Sequence, residues 1–187
     1  MIKFWFAVIA TTLVFSGCSG VQVNQDYDPV TDFSSMKTYR WAAETQEKTG
    51  DLRIDNPLRD TRIRTAVDRL LTEKGFIKSV DGSPTFLVRY QYVLRQKMES
   101  DGAGGGIGFG IGSFGSHGGI AIGTGNNVRA YDEGSLIIDF VDAASQTLLW
   151  RGTGTQQFRE YDDPEKTSRD INLLVEKILA QFPPAKP

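Results

Sequence analysis

Two dipeptides, Asn56-Pro57 and Asp163-Pro164, each head a segment whose apolar residues recur at three and four, in a chain that otherwise tends to alternate at two. An Asx side chain suits a helix cap and a following proline suits the first helical position, so both dipeptides read as helix starts. After Asn56-Pro57 the apolar set is Ile63, Ala66, Val67, Leu70 and Leu71, and Gly75 is placed to end the helix in a left-handed conformation. After Asp163-Pro164 the set is Ile171, Leu174, Val175, Ile178, Leu179 and Phe182, stopped by Pro183 and Pro184. Each helix therefore carries one apolar stripe that needs a surface to cover.

The alternating stretches supply that surface. Thr38 to Ala42 reads as a first strand, and Phe86, Val88, Tyr90, Tyr92 and Leu94 fall on one side of a long one, with Arg89, Gln91 and Arg95 on the other. Residues 135–142 and 147–158 suggest a hairpin across Ala143–Gln146, and a further strand is expected at 120–132, before a turn at Glu133-Gly134. Strands joined by short turns pair antiparallel. The expected fold class is α+β: a single two-layer domain, a mainly antiparallel twisted sheet of four to five strands with two helices packed on one face. A chain of 187 residues is the length of one domain. On the polar face of the first helix, Asp60/Arg64, Arg64/Asp68 and Arg69/Glu73 stand at i,i+4, a pattern expected of a solvated face with weak ion pairs.

Charge and cysteine content narrow the function classes. With 21 Lys+Arg against 23 Asp+Glu there is no basic excess to meet a phosphate backbone, so nucleic acid is not an expected partner. One cysteine excludes an internal disulfide framework, and one histidine argues against a Cys/His metal site. That cysteine is Cys18, and it comes after Lys3, an uncharged and mostly apolar run from Phe4 to Phe15, and the small residues Ser16 and Gly17. A spanning helix needs about 20 apolar residues, so the run suits the h-region of a signal peptide. The arrangement resembles the lipobox of bacterial lipoproteins, with Phe15 where leucine is usual. The resemblance implies that residues 1–17 are a removed signal peptide and that Cys18 is the acylated anchor in a lipid bilayer. Residues 18–36 are then expected as lipidated cysteine and tether, and 37–187 as the folded domain. Ser19 stands after the cysteine where an aspartate would favour inner-membrane retention, so the expected place is the outer membrane, facing the periplasm.

Residues 102–125 contain 12 glycines and no charge. Gly110 to Gly115 matches the dinucleotide fingerprint G-x-G-x-x-G, but no helical pattern comes after it to hold a pyrophosphate, so no cofactor is expected. The segment reads as an insertion between two strands. Ile107, Phe109, Ile111 and Phe114 have no evident core to enter, and form a candidate interaction surface for another chain, for self-association or for lipid. The alternative is an inert insertion. His117 has no other ligand type beside it. Ser34 to Lys37 and Lys48 to Gly50 mimic two motifs of penicillin-binding enzymes without the third, and Asp139 and Asp142 are spaced onto opposite faces of a strand. No catalytic, cofactor-binding or metal-ligating set can be assembled, and an enzyme is not expected.

Several fragments recur together in order: Asp26-Tyr27-Asp28, Asp32-Phe33-Ser34, Lys37 to Trp41, Arg62 to Asp68, Lys74-Gly75-Phe76, Gly134 to Asp139, Leu149 to Gly152 and Phe182 to Pro184. In these the chain resembles the bacterial lipoproteins of domain of unknown function 4136 (DUF 4136), over about residues 24–184. The resemblance implies an envelope lipoprotein with a small α/β domain and no catalytic residues to carry over. Trp41 and Trp150 are expected to pack in the core or at an edge, and Arg40 and Arg151 to cover the sheet surface. The expected role is non-enzymatic docking of envelope components through the long Tyr-bearing strand and the glycine segment. The alternative is a carrier of a small apolar or lipid ligand, which requires an apolar cavity between sheet and helices.

Overall fold

The computed structural model describes residues 20–43, 45–100 and 128–185. Both helix starts form as their caps predict. In α1 (Pro57–Glu73) the Asn56 side chain accepts from the Leu58 N–H at 2.8 Å, and in α2 (Pro164–Leu179) Asp163 accepts from Glu165 at 2.8 Å. Helix α1 ends in a Schellman motif: Phe76 N–H reaches the Leu71 carbonyl and Gly75 N–H reaches Thr72, with Gly75 at φ 89°.

The strands are β1 (Gln22–Tyr27), β2 (Thr38–Trp41), β3 (Ile77–Lys78), β4 (Phe86–Ser100), β5 (Val128–Asp142) and β6 (Leu148–Gln157), with a 3-10 turn at Phe33–Ser35. They make one sheet in the order β1-β6-β5-β4-β2-β3. The β1–β6, β6–β5 and β5–β4 pairs are antiparallel, while β2 is parallel to both β4 and β3. Parallel neighbours need a long crossover, and α1 supplies it between β2 and its two parallel partners.

The sheet has six strands rather than the four to five expected. The stretch read as a tether contains β1, whose QVNQDY sequence shows little alternation because it is an edge strand with polar residues on both sides. Strand β3 spans two residues, too few for any periodicity. The strand expected at 120–132 and the turn at Glu133-Gly134 are corrected as well: β5 runs unbroken from Val128 through Gly134 to Asp142. The Tyr92 ring lies over Gly134, where a β-carbon would overlap the phenol oxygen. That glycine makes room for a cross-strand aromatic ring.

Register puts one set of side chains under the helices. Phe86, Val88, Tyr90 and Tyr92 on β4 share a face with Phe140, Ile138 and Leu136 on β5, and with Trp150, Gly152 and Gly154 on β6. The apolar stripes of α1 and α2 enter the same buried cluster, so both helices cover that face as expected. At its centre Trp150, Phe140 and Phe182 pack with ring centroids 4.6–5.2 Å apart. The opposite face carries Arg89, Gln91, Asp139, Arg151, Thr153 and Thr155, and no described helix lies on it.

Candidate functional site

Cys18 and the four apolar residues Ile107, Phe109, Ile111 and Phe114 lie outside the described residues. The glycine segment's place in the topology is nevertheless defined by its flanks: Ser100 pairs with Val128, so residues 101–127 join the far ends of the antiparallel β4–β5 pair. On the long Tyr-bearing strand β4, the side chains of Phe86, Val88 and Tyr92 are buried beneath the helices, which leaves its edge and its opposite face open to contact. Trp150 is fully buried, with its indole N–H donating to Gln25 at 3.0 Å, and Trp41 packs at the edge, as the sequence suggests for both.

Where β2 stops, β4 continues. Trp41 is opposite Val88, Ala42 N–H still reaches the Val88 carbonyl at 3.0 Å, and thereafter β4 runs on to Ser100 with no strand of the described residues on that side. Gln46 stands in for a missing strand neighbour, donating its side-chain amide to the Tyr92 carbonyl at 3.4 Å. Between the 42–47 segment and this free edge is an open cleft of about 340 Å³. Trp41, Arg64 and Tyr90 form its helix side, and Gln91, Asp139 and Arg151 its open-sheet side.

The helix side of this cleft is built on two aspartates. Asp68 Oδ1 accepts from the Tyr39 hydroxyl at 2.9 Å and from the Trp41 indole at 3.0 Å, while Lys78 donates to Oδ2 at 2.7 Å. Asp60 accepts from Tyr90 and from Arg64, whose guanidinium lies 4.4 Å from the Trp41 ring centroid. Hydrogen bonds to a charged group contribute about 1.5–3 kcal/mol each, so these carboxylates fasten α1 to β2 and β4. The spacing Arg64/Asp68 suggests a solvated i,i+4 pair. Instead Asp68 turns to the sheet and the Asp60–Arg64 pair is part-buried against Trp41 and Tyr90, while Arg69–Glu73 is the solvated pair expected. Burial, reinforced by Asp68 and Asp60 respectively, pushes the Tyr39 and Tyr90 phenols far above their usual range. Burial also raises Tyr92 to about 12. All three phenols keep their protons at neutral pH, and Tyr39 and Tyr90 use theirs to hold α1.

On the open face Arg151 grips Asp139 with two hydrogen bonds, at 2.7 and 2.6 Å. Asp142 instead closes the β5–β6 turn, accepting from the backbone of Ala144 and Ser145 and from the Ser145 hydroxyl, and the Ser145 backbone bond leads in holding its carboxyl below the ordinary range. The two aspartates do not converge. Among the described residues no group of three or more His, Cys, Asp or Glu is placed to hold a metal ion. None of the described helices is long and apolar enough to cross a membrane.

Comparison with known proteins agrees with this architecture. A PDZ domain protein from Parabacteroides distasonis ATCC 8503 has a TM-score of 0.50 at 13% identity; the match covers 90% of this chain and 36% of that one. This chain therefore spans about a third of that protein's length, and the likeness concerns the fold alone. A PelC dodecamer from Paraburkholderia phytofirmans is more distant, with a TM-score of 0.46, 11% identity and coverage of 86% and 96%. A minor lipoprotein from Acinetobacter baumannii has a TM-score of 0.38, 9% identity and coverage of 78% and 88%. No curated protein matches the sequence. The family model for a domain of unknown function, DUF4136, matches residues 23–184, from the second residue of β1 to the prolines after α2. The chain belongs to the DUF4136 family.

Proposed function

We propose that this chain is a bacterial outer-membrane lipoprotein facing the periplasm, cut before Cys18 and acylated on it, whose domain binds an extended segment of another envelope protein and catalyses no reaction. The observation that carries the binding mode is the free edge of β4 beside the cleft, from Tyr90 toward Met98. An unpaired edge offers a row of N–H and C=O groups, which an incoming strand satisfies with main-chain hydrogen bonds. The cleft adds side-chain partners of both signs, Arg64, Asp139 and Arg151. A carrier of an apolar ligand has less support, since the space between sheet and helices is filled by Trp150, Phe140, Phe86 and Phe182, each no more than 1% exposed.

Alternation along β4 gives a clean test. The Val88 and Tyr92 carbonyls face the free edge, so the N–H groups of even-numbered residues point the same way. Gln96→Pro removes an outward N–H and leaves the ladder to β5 intact. A photoreactive side chain at Gln91, in the cleft, should give a discrete in-cell crosslinked product that Gln96→Pro abolishes and Gln96→Ala retains. If Gln91 gives no product, or one indifferent to proline, strand addition at this edge is wrong.

A further inference from the structure

We infer that the paired arm made by the far ends of β4 and β5, residues 95–100 and 128–133, rests on the phospholipid surface in which Cys18 is held. The inference depends on the acylation of Cys18 proposed above and goes beyond it, because it assigns the end of the domain that meets the bilayer.

The register supplies the geometry. Gln22, the first residue of β1, pairs with Thr155, Thr155 with Ser135, and Ser135 with Val93. Three successive antiparallel pairings make β1 run opposite to β4, so the chain enters β1 from the end toward which β4 continues. Gly20 lies in the same small cleft as Tyr131 and Glu133, both residues of the arm. The anchor and the arm thus leave the sheet in one direction.

Their relative reach brings the arm to the membrane. Cys18 stands four residues before Gln22, a span of at most about 14 Å when fully extended. From Val93 to Ser100, β4 advances seven residues, about 23 Å at the usual strand rise. The arm extends farther than the tether, so an acylated Cys18 brings the arm to the headgroups.

The arm's chemistry suits that position. Arg95, Lys97, Arg129 and Tyr131 stand on one face of it, residue types that settle at the headgroup level. Of its three acidic residues, Asp132 and Glu133 are held by cations, Arg53 and Lys97, and Glu99 stands opposite Arg129 in the register, so each acidic position has a basic neighbour. Met98, on the other face, is 68% exposed although it is a large apolar side chain.

The full-length acylated protein is reconstituted in vesicles of phosphatidylethanolamine and phosphatidylglycerol that carry a quencher on the lipid headgroup. A single fluorophore is attached through Met98→Cys, or through Ser145→Cys in the β5–β6 turn at the opposite end of the sheet. Acylation of Cys18 leaves the introduced thiol as the only reactive one. Arg129→Cys serves as a second arm position should Met98→Cys fold poorly. Labels on the arm are expected to be quenched several-fold more strongly than the label at Ser145. Vesicle-bound protein with equal quenching at both ends, or stronger quenching at Ser145, overturns the inference while the anchor stands. Protein that does not float with the vesicles removes the anchor itself, and the inference falls with it.

Discussion

Asp170 on α2 accepts a hydrogen bond from the Gln156 amide at 2.8 Å, close to a cluster in which Arg59 stacks on Tyr92 and Phe158. Burial raises its pKa above the ordinary carboxylate range, and the charges of Arg159 and Arg59 offset this only in part. A carboxyl whose folded pKa exceeds its unfolded one binds protons more tightly in the native state. It therefore weakens the fold at pH above the folded pKa, and the penalty fades as pH falls toward the unfolded value of about 4. Asp170→Asn keeps an acceptor for Gln156 and cannot ionise. Thermal denaturation should give Asp170→Asn the higher Tm at neutral pH, with the difference closing as the pH approaches about 4. A lower Tm at neutral pH would mean that attraction to the two arginines outweighs desolvation. Residues of this kind are hardly legible in the sequence. Asp60 and Asp68 show their helical spacing there, but not that Tyr90, Tyr39 and Trp41 will face them.

At the scale of elements, the contact between α2 and β6 depends on two glycines. A β-carbon on Gly154 would lie 2.7 Å from both Ile178 and Leu174, and one on Gly152 would meet Ile178 at 2.5 Å. Both are closer than real β-carbons approach, so the Gly-Thr-Gly-Thr run of β6 lets the helix lie almost on the strand backbone. Gly154→Ala forces a shift in a filled core and should destabilise the protein by about 1–3 kcal/mol in chemical denaturation. Ile178→Val removes Cδ1, one of the three atoms that a new side chain would meet at 2.7 Å. It should therefore cost less in the Gly154→Ala background than alone, a coupling that a double-mutant cycle measures. Additive effects would show that α2 does not rest on Gly154. The hairpin of β5 and β6 and both helices are legible because their periodicity and turn residues are local. Strand β1 is hidden because an edge strand needs neither an apolar side nor a turn at its end.

For the molecule as a whole, the fold begins close to its proposed anchor. Strand β1 starts at Gln22, and among the described residues the fully buried cluster is drawn from Met36 to Phe182, with Val21 the nearest residue to Cys18 that packs against it. Cys18→Ser should release the protein from the membrane fraction while leaving its Tm unchanged, as fractionation and thermal denaturation would show. Continued membrane attachment of the variant would overturn the anchor. The short approach from Cys18 to β1 also leaves little slack, in contrast to the long tether that the polar stretch 19–36 suggests. A domain held so closely by an acylated Cys18 would present the same end to the bilayer, and the cleft beside β4 opens at the level of Val88 to Gln91, away from the arm.

The sequence by itself determined two capped amphipathic helices, the strands that carry one apolar side, and the family to which the chain belongs. These come from patterns within a few residues of each other, which burial of a single face imposes directly. Only the tertiary structure decided that the sheet has six strands, that β1 joins its edge, that the tyrosines of β4 are covered, and that β4 and β5 project past their neighbours. Those features depend on backbone hydrogen bonds and reach between segments far apart in the chain, and such pairing leaves no periodic mark on the side chains.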